Sequence, residues 1–330
     1  MQKLDFQPKF FSCIKNYNKN TFMSDLMAGV IVGIVALPLA IAFAIASGVS
    51  PEKGIVTAII AGFIVSFLGG SKVQIGGPTG AFIVIVYGVI QQYGLAGLTV
   101  ATMIAGVLLI LIGVFKLGTV IKFIPYPVVI GFTSGIAVTI FTTQMADVFG
   151  LNFGGETVPG DFIGKWMLYF RHLDTINWWD AGVCVISVLI IALTPKVSRR
   201  IPGSLVAIIF VTVGVWVMKT YFGITGIDTI GDRFSIDSHL PKAVIPALNW
   251  EAIKNLFPIA VTIAALGAIE SLLSATVADG MISDHHNSNT ELIALGIANM
   301  VTPLFGGIPA TGAIARTMTN INNGGRTPVA

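Results

Sequence analysis

The sequence predicts an all-α polytopic membrane protein built as an inverted repeat, with two discontinuous helices. Three observations carry that prediction. Hydrophobic residues make up 54% of the 330 and charged residues only 11%, against about 25% charged in a typical soluble domain. Ten apolar segments follow one another along the chain. A short motif also recurs once, at a fixed offset, at two Gly- and Pro-rich breaks. Such a composition excludes a cytosolic enzyme, a nucleic-acid binder and a disulfide-stapled secreted module. The net charge of +3 is loop bias and not a nucleic-acid footprint.

Residues 1–24 form a polar tail carrying Lys3, Lys9, Lys15 and Lys19. They lack an apolar core ending in a small-residue cleavage site, so the first apolar segment is a retained span. Residues 25–330 form the membrane domain. Its segments fall at 26–47, 54–69, 79–91, 95–115, 125–145, 180–194, 203–222, 257–278, 290–305 and 309–321. A helix needs about 20 apolar residues to cross, so 79–91 and 309–321 are too short to cross alone. Each follows a break, Gly76-Gly77-Pro78 or Gly306-Gly307-Ile308-Pro309. Proline suits the first turn of a helix, so each break reads as an extended stretch entering a half-helix.

Lys and Arg in short loops set the orientation. Lys72, Lys116, Lys122, Lys196, Arg199, Arg200 and Arg326 share a side with the tail if the N-terminus is cytoplasmic. The connections 146–179 and 223–256 then face outward. Trp178, Trp179 and Trp250 suit an interfacial belt.

Thr79-Gly80-Ala81 recurs as Thr311-Gly312-Ala313, 232 residues later. The same offset places Ala46-Ser47-Gly48 on Ala278-Asp279-Gly280. The first repeat runs over about 25–222, and a second begins near 251. Seven spans precede the second copy, an odd number, so it enters the membrane upside down. This is the inverted-repeat architecture of secondary transporters.

The half-helix starts at Thr79–Phe82 and Thr311–Ile314 each bring unpaired N–H groups and about half a positive charge. Gly80, Ala81, Gly312 and Ala313 permit close approach, and Thr79 and Thr311 add hydroxyls. Together they form an anion site. Two ionisable residues stand inside apolar segments, where each requires a reason. Arg316 either strengthens the positive field or snorkels to the cytoplasmic surface. Glu270, the sole carboxylate expected in the membrane core, is either a proton or sodium site or a neutral, hydrogen-bonded structural acid. At the repeat offset its counterpart is Pro38.

The remaining candidates carry less. Asp284-His285-His286 has the look of a metal cluster but reads as a solvated loop. The glycine pairs lack the Gly-Lys-Ser/Thr of a phosphate loop. Cys13 and Cys184 give no disulfide framework. No nucleophile–base pair or metal spacing falls within the spans, so neither an enzyme nor a metal or organic cofactor is expected.

Several stretches resemble the SulP family of anion transporters, in its bacterial form. They are Ala36-Leu37-Pro38-Leu39-Ala40 through Ala46-Ser47-Gly48-Val49-Ser50-Pro51, Gly76 through Phe82, and Gly131-Phe132-Thr133-Ser134-Gly135. Gly267 through Leu273 followed by Ala278-Asp279-Gly280, and Gly306 through Thr317, complete the set. The resemblance implies two inverted seven-span repeats, with spans 1–4 and 8–11 in a core and spans 5–7 and 12–14 in a gate. Spans 11–14 and a cytoplasmic STAS domain lie outside this chain. It implies secondary active symport of sulfate, bicarbonate or a dicarboxylate, coupled to H+ or Na+, in the plasma (inner) membrane, by a homodimer. Carried over, the anion contacts are Thr79, Gly80, Ala81, Phe82, Thr311, Gly312, Ala313 and Arg316, and Glu270 is the coupling carboxylate. Leu39 stands where some relatives carry an acid. An exchanger or passive anion channel, and a nucleobase-type carrier of the same architecture, are the alternatives.

Overall fold

The computed structural model describes residues 6–15, 17–119, 126–197, 202–234, 241–246 and 250–330. Lys3, Lys122, Arg199 and Arg200 lie outside them. A short helix α1 (Lys9–Ile14) precedes α2 (Lys19–Ala46) and α3 (Pro51–Leu68). Strand β1 (Gly76–Gly77) leads through a 3-10 turn, Gly80–Phe82, into α4 (Ile83–Val114). Helices α5 (Tyr126–Val148), α6 (Phe162–Arg171), α7 (Trp178–Val197), α8 (Gly203–Phe222) and α9 (Ile230–Arg233) follow. The chain closes with α10 (Trp250–Ile282), α11 (Ser288–Val301), strand β2 (Thr311–Gly312) and α12 (Ile314–Asn322).

Six helical stretches among the described residues are long and apolar enough to cross a membrane. This is four fewer than the ten apolar segments. Segment 125–145 forms the 23-residue α5, which is not among the six, and the other three differences have local reasons. Segments 79–91 and 95–115 form one run, Gly80–Val114, interrupted at Gly94. There φ is 65° and ψ −171°, a combination only glycine adopts readily. Helix α11 ends after 14 residues, where Pro303 tightens the chain into a 3-10 turn closed by left-handed Gly306. Helix α12 has 9 residues, because the stretch before it is extended. In the connection 146–179 lies α6, started by the Asp161 side chain accepting from Gly164 N–H.

The chain forms two compact units. One comprises Met1–Val129 and Asp237–Ala330, and the other Ile130–Ile236. The first holds both breaks. Its apolar core gathers Phe82, Val86, Leu98 and Leu109 with Leu256, Ile263, Leu272 and Leu295. Small residues let helix backbones touch there, as membrane bundles require. A Cβ on Gly106 of α4 would lie 2.7 Å from the Gly296 carbonyl, and one on Gly296 of α11 would lie 2.6 Å from the Gly106 carbonyl. In the second unit, α7 packs along α8.

Candidate functional site

The two breaks meet. Strand β1 pairs antiparallel with β2, in the register Gly76↔Gly312 and Gly77↔Thr311. Antiparallel pairing of two strands that each lead into a half-helix is the local expression of an inverted repeat. Side chains from neighbouring helices hold both breaks in their extended form. Asn299 brackets Ala310, donating to its carbonyl (2.8 Å) and accepting from its N–H (2.9 Å). Thr57 accepts from Ile308 N–H at 2.8 Å. Thr317 accepts from Ile75 N–H at 3.1 Å, and Asn320 donates to the Val73 carbonyl at 3.0 Å. Backbone groups without a helix or a wide sheet still need partners when buried, and these residues supply them.

Every expected anion contact lies at this crossing. The N–H groups there are less free than the sequence implies. Ala81 N–H donates to the Thr79 hydroxyl at 3.0 Å, since Thr79 caps the 3-10 turn. Gly312 N–H donates to Ser271 Oγ at 2.7 Å, and Ala313 N–H donates to the Ile75 carbonyl at 2.9 Å. Thr311 and Gly312 are strand residues, and helix α12 starts at Ile314. The orphan donors of that half-helix are therefore the first-turn groups from Ile314 onward. Gly80, Phe82, Thr311, Gly312 and Ala313 are buried, whereas Ala81 and Ile314 are half-buried and Ala315 is exposed. The open edge of the crossing thus runs along Ala81, Ile314 and Ala315. The Phe82 ring faces Gly267 of α10, where a Cβ would lie 3.6 Å from its tip.

Glu270 stands at the same place. The Thr79 hydroxyl lies 2.8 and 3.1 Å from its two carboxylate oxygens. Arg316 is 3% exposed, so it does not snorkel. One guanidinium nitrogen donates to the Pro78 carbonyl and the other, Nη1, is buried without a partner among the described residues. The guanidinium presses on Gly77, where a Cβ would meet Nη1 at 2.2 Å.

Glu270, itself half-buried, is not the only carboxylate in the core. Glu291, in the first turn of α11, is fully buried and accepts from Gly70 N–H (2.7 Å) and Ser71 N–H (3.0 Å). Asp25 is also fully buried and accepts from the N–H groups of Arg326 (2.8 Å) and Thr327 (3.3 Å). Both lie near helix ends, where an acid in sequence looks like an ordinary cap. Sequence reading also passed over Asn299 and Thr57, although an amide inside the apolar run 290–305 was a usable signal. Asp284 pairs with Lys72 at 3.0 Å, and His286 joins Asp279 (2.7 Å) to Ser288 (3.0 Å). That loop is tied down and is not simply solvated.

Known proteins match this chain in sequence and fold. The family model described as "Sulfate permease family" matches residues 22–330. The protein YvdB of Bacillus subtilis (strain 168), whose name assigns it provisionally to sulfate transport, is 48% identical over 97% of this chain and 60% of its own length. The bicarbonate transporter BicA of a Synechocystis strain is 33% identical over 83% of the chain and 48% of its own length. The chain thus spans about half to three-fifths of these relatives. The solved transmembrane domain of a cyanobacterial bicarbonate transporter BicA superposes with a TM-score of 0.79 at 32% identity, over 95% of this chain and 79% of that one. Murine Slc26a9 shares the fold alone, with a TM-score of 0.82 at 18% identity, over 98% of this chain and 57% of that one. From residue 22 onward the match is unbroken and takes in both breaks and the helix that carries Glu270, and the chain belongs to the sulfate permease family.

Proposed function

We propose that this chain is the anion-handling part of a secondary active transporter for an inorganic or small organic anion of the sulfate, bicarbonate or dicarboxylate class. The observation that carries the reading is the paired crossing of two half-helix entrances, with Glu270 and Arg316 beside it. The anion sits at the open edge of that crossing. It touches Thr79 through Phe82 on one side and Thr311 through Ala313, with Arg316, on the other. First-turn N–H groups and the guanidinium supply positive field where charge must be desolvated. Glu270 takes up H+ or Na+ together with the anion, so that the loaded site carries less net charge as it moves. The family is one of transporters and not of enzymes.

The supporting names point to two substrates, since YvdB carries a sulfate assignment and BicA a bicarbonate one. We further propose the plasma membrane as the location, a cytoplasmic N-terminus, and a homodimer as the working form. The domain plan is a tail over 1–24, a transport domain over 25–330, a first repeat over about 25–222 and a second from about 251.

The test is uptake of labelled sulfate, bicarbonate and dicarboxylates into proteoliposomes carrying the intact protein. Saturable uptake driven by a pH or sodium gradient supports the reading. Linear, channel-sized currents, or nucleobase uptake without anion uptake, would sink it.

A further inference from the structure

Two lysines on the face remote from the N-terminal tail stand without partners among the described residues. Lys53 lies in the first turn of α3, and Lys242 in the extended stretch 241–246. Neither makes an ion pair or a side-chain hydrogen bond among the described residues. Some other cations among the described residues find acids. Lys72 pairs with Asp284 at 3.0 Å, and Lys219 with Asp232 at 2.5 Å. Loop cations gather on the cytoplasmic side of membrane proteins, so topology does not account for this outer pair.

Lys53 and Lys242 line one open cavity of ≈ 390 Å³, within the usual range for small-ligand sites. No acid lines it. The neighbouring Glu52 is absent from the wall, and its carboxylate takes the Ser50 hydroxyl. Thr99 adds a hydroxyl, while Pro303 and Leu304 form apolar wall. Val244 N–H donates to the Leu304 carbonyl at 2.7 Å, which anchors the strand of chain bearing Lys242.

The floor of the cavity is the start of the second break. A Cβ on Gly306 would lie 3.4 Å from Lys53 Nζ. One turn further along α3, Thr57 donates to the Lys53 carbonyl at 2.6 Å and accepts from Ile308 N–H at 2.8 Å. From Ile308 the chain runs directly to Thr311. A lysine over the carbonyl end of a 3-10 turn has a structural use, because that end is negative. This accounts for Lys53 and not for the convergence of Lys242 on the same space.

We propose that the cavity is a capture site for a small free oxyanion, which the two ammonium groups concentrate before it moves to the crossing of the breaks. The inference rests on the anion-transport reading above. Lysine is a strongly hydrated point charge without the planar fork of arginine. Capture here is therefore selective for charge and not for shape, and the choice among oxyanions falls to the inner site. A phospholipid headgroup offers the same phosphate oxygens, so the test must separate the two sources.

The experiment uses the intact protein in phosphatidylcholine vesicles, with sulfate and bicarbonate as probes added on the side of this face. In the double variant Lys53→Gln, Lys242→Gln, KM rises about three- to tenfold with kcat unchanged. The dependence of kcat/KM on ionic strength flattens, as loss of steering charge requires. Lys53→Arg with Lys242→Arg restores both. An unchanged KM and salt slope overturns the proposal, as does a loss confined to kcat. A difference seen only in vesicles containing phosphatidylglycerol assigns the cavity to a lipid and also overturns it. Wild-type protein that transports no anion removes the parent reading as well, a result distinct from normal transport with an indifferent double variant.

Discussion

The Thr79 hydroxyl lies within hydrogen-bonding distance of both oxygens of Glu270 and also accepts from Ala81 N–H. One side chain therefore joins the cap of the first half-helix to the acid of α10. A neutral Glu270 can still accept from Thr79, whereas a charged one accepts more strongly. Charge at Glu270 is thus read directly at the half-helix entrance. Glu270→Gln mimics the protonated acid and keeps an acceptor for Thr79. Gradient-driven uptake in that variant is expected to lose its dependence on pH or sodium, while counterflow exchange persists. Wild-type gradient dependence in reconstituted Glu270→Gln vesicles would assign Glu270 a structural role.

Bulk at the crossing has no room to go. A Cβ on Gly312 would lie 1.8 Å from the Gln74 amide and 3.1 Å from Ser271 Oγ. Gly312→Val is expected to abolish transport in protein that still inserts, because it must displace the buried Gln74 amide and crowd Ser271 at the crossing. Thr79→Ser keeps the hydroxyl and is expected to stay within about twofold of wild type, a change worth about 0.4 kcal/mol. Initial rates normalised to membrane-inserted protein check both. Transport at wild-type rate by Gly312→Val would show that the glycine is not at the path.

The spans, both breaks and the repeat were legible because bilayer length and Gly/Pro chemistry act locally. Segment 203–222 and helix α8 nearly coincide for that reason. Thr79, Glu270 and Arg316 stood out because a hydroxyl-glycine motif or a charge is conspicuous in an apolar run. What stayed hidden depends on distant pairing. Nothing near Gly76 in sequence announces that it will face Gly312. The use of Gly312 N–H by Ser271, 41 residues away, was equally invisible. Glu291 looked like a first-turn acid, and only its burial against Gly70 and Ser71 sets it apart.

Glu291 makes a stability prediction. Its Oε2 accepts two backbone N–H groups from the chain after α3, and Oε1 is buried without a partner. Glu291→Ala strands both N–H groups and is expected to cost about 2–3 kcal/mol. Glu291→Gln retains an acceptor and should cost less. Thermal unfolding of detergent-solubilised protein orders the three. Equal melting temperatures for wild type and Ala would contradict this account.

Asp284 carries a pH dependence on the loop between α10 and α11. Burial raises its pKa, but the hydrogen bond from His285 N–H and the nearby Lys72 and Lys9 outweigh it, leaving the group below the ordinary carboxylate value. A folded pKa below the unfolded one means stabilisation that is present above the ordinary value near 3.8 and lost as pH falls through the folded value. The group is half-buried in a solvent-screened loop pair with Lys72, so the contribution is discounted to the surface-pair level, about 0.2–1 kcal/mol. Asp284→Asn should lower the melting temperature slightly at pH 7, and the difference should vanish as pH falls through the folded value, below the ordinary carboxylate value. A difference that grows on acidification would reverse the sign and refute the assignment.

Arg316 divides two duties between its two terminal nitrogens. One donates to the Pro78 carbonyl, and Nη1 remains buried beside Gly77, unpartnered among the described residues. An unpaired donor at that depth is costly, and an anion at the crossing would relieve the cost. Lysine has one terminal nitrogen and no planar fork, so it cannot hold Pro78 and present a second fixed donor. Arg316→Lys is therefore expected to raise KM for the anion about tenfold, the loss of one charge-assisted hydrogen bond, while gradient dependence is kept. Arg316→Gln removes the positive charge beside Glu270 as well and should weaken binding further. The separation is measured by initial-rate uptake across anion concentrations, with and without the coupling gradient, in the same vesicles. If Arg316→Lys leaves KM unchanged and instead removes gradient dependence, the guanidinium belongs to coupling and the anion binds elsewhere.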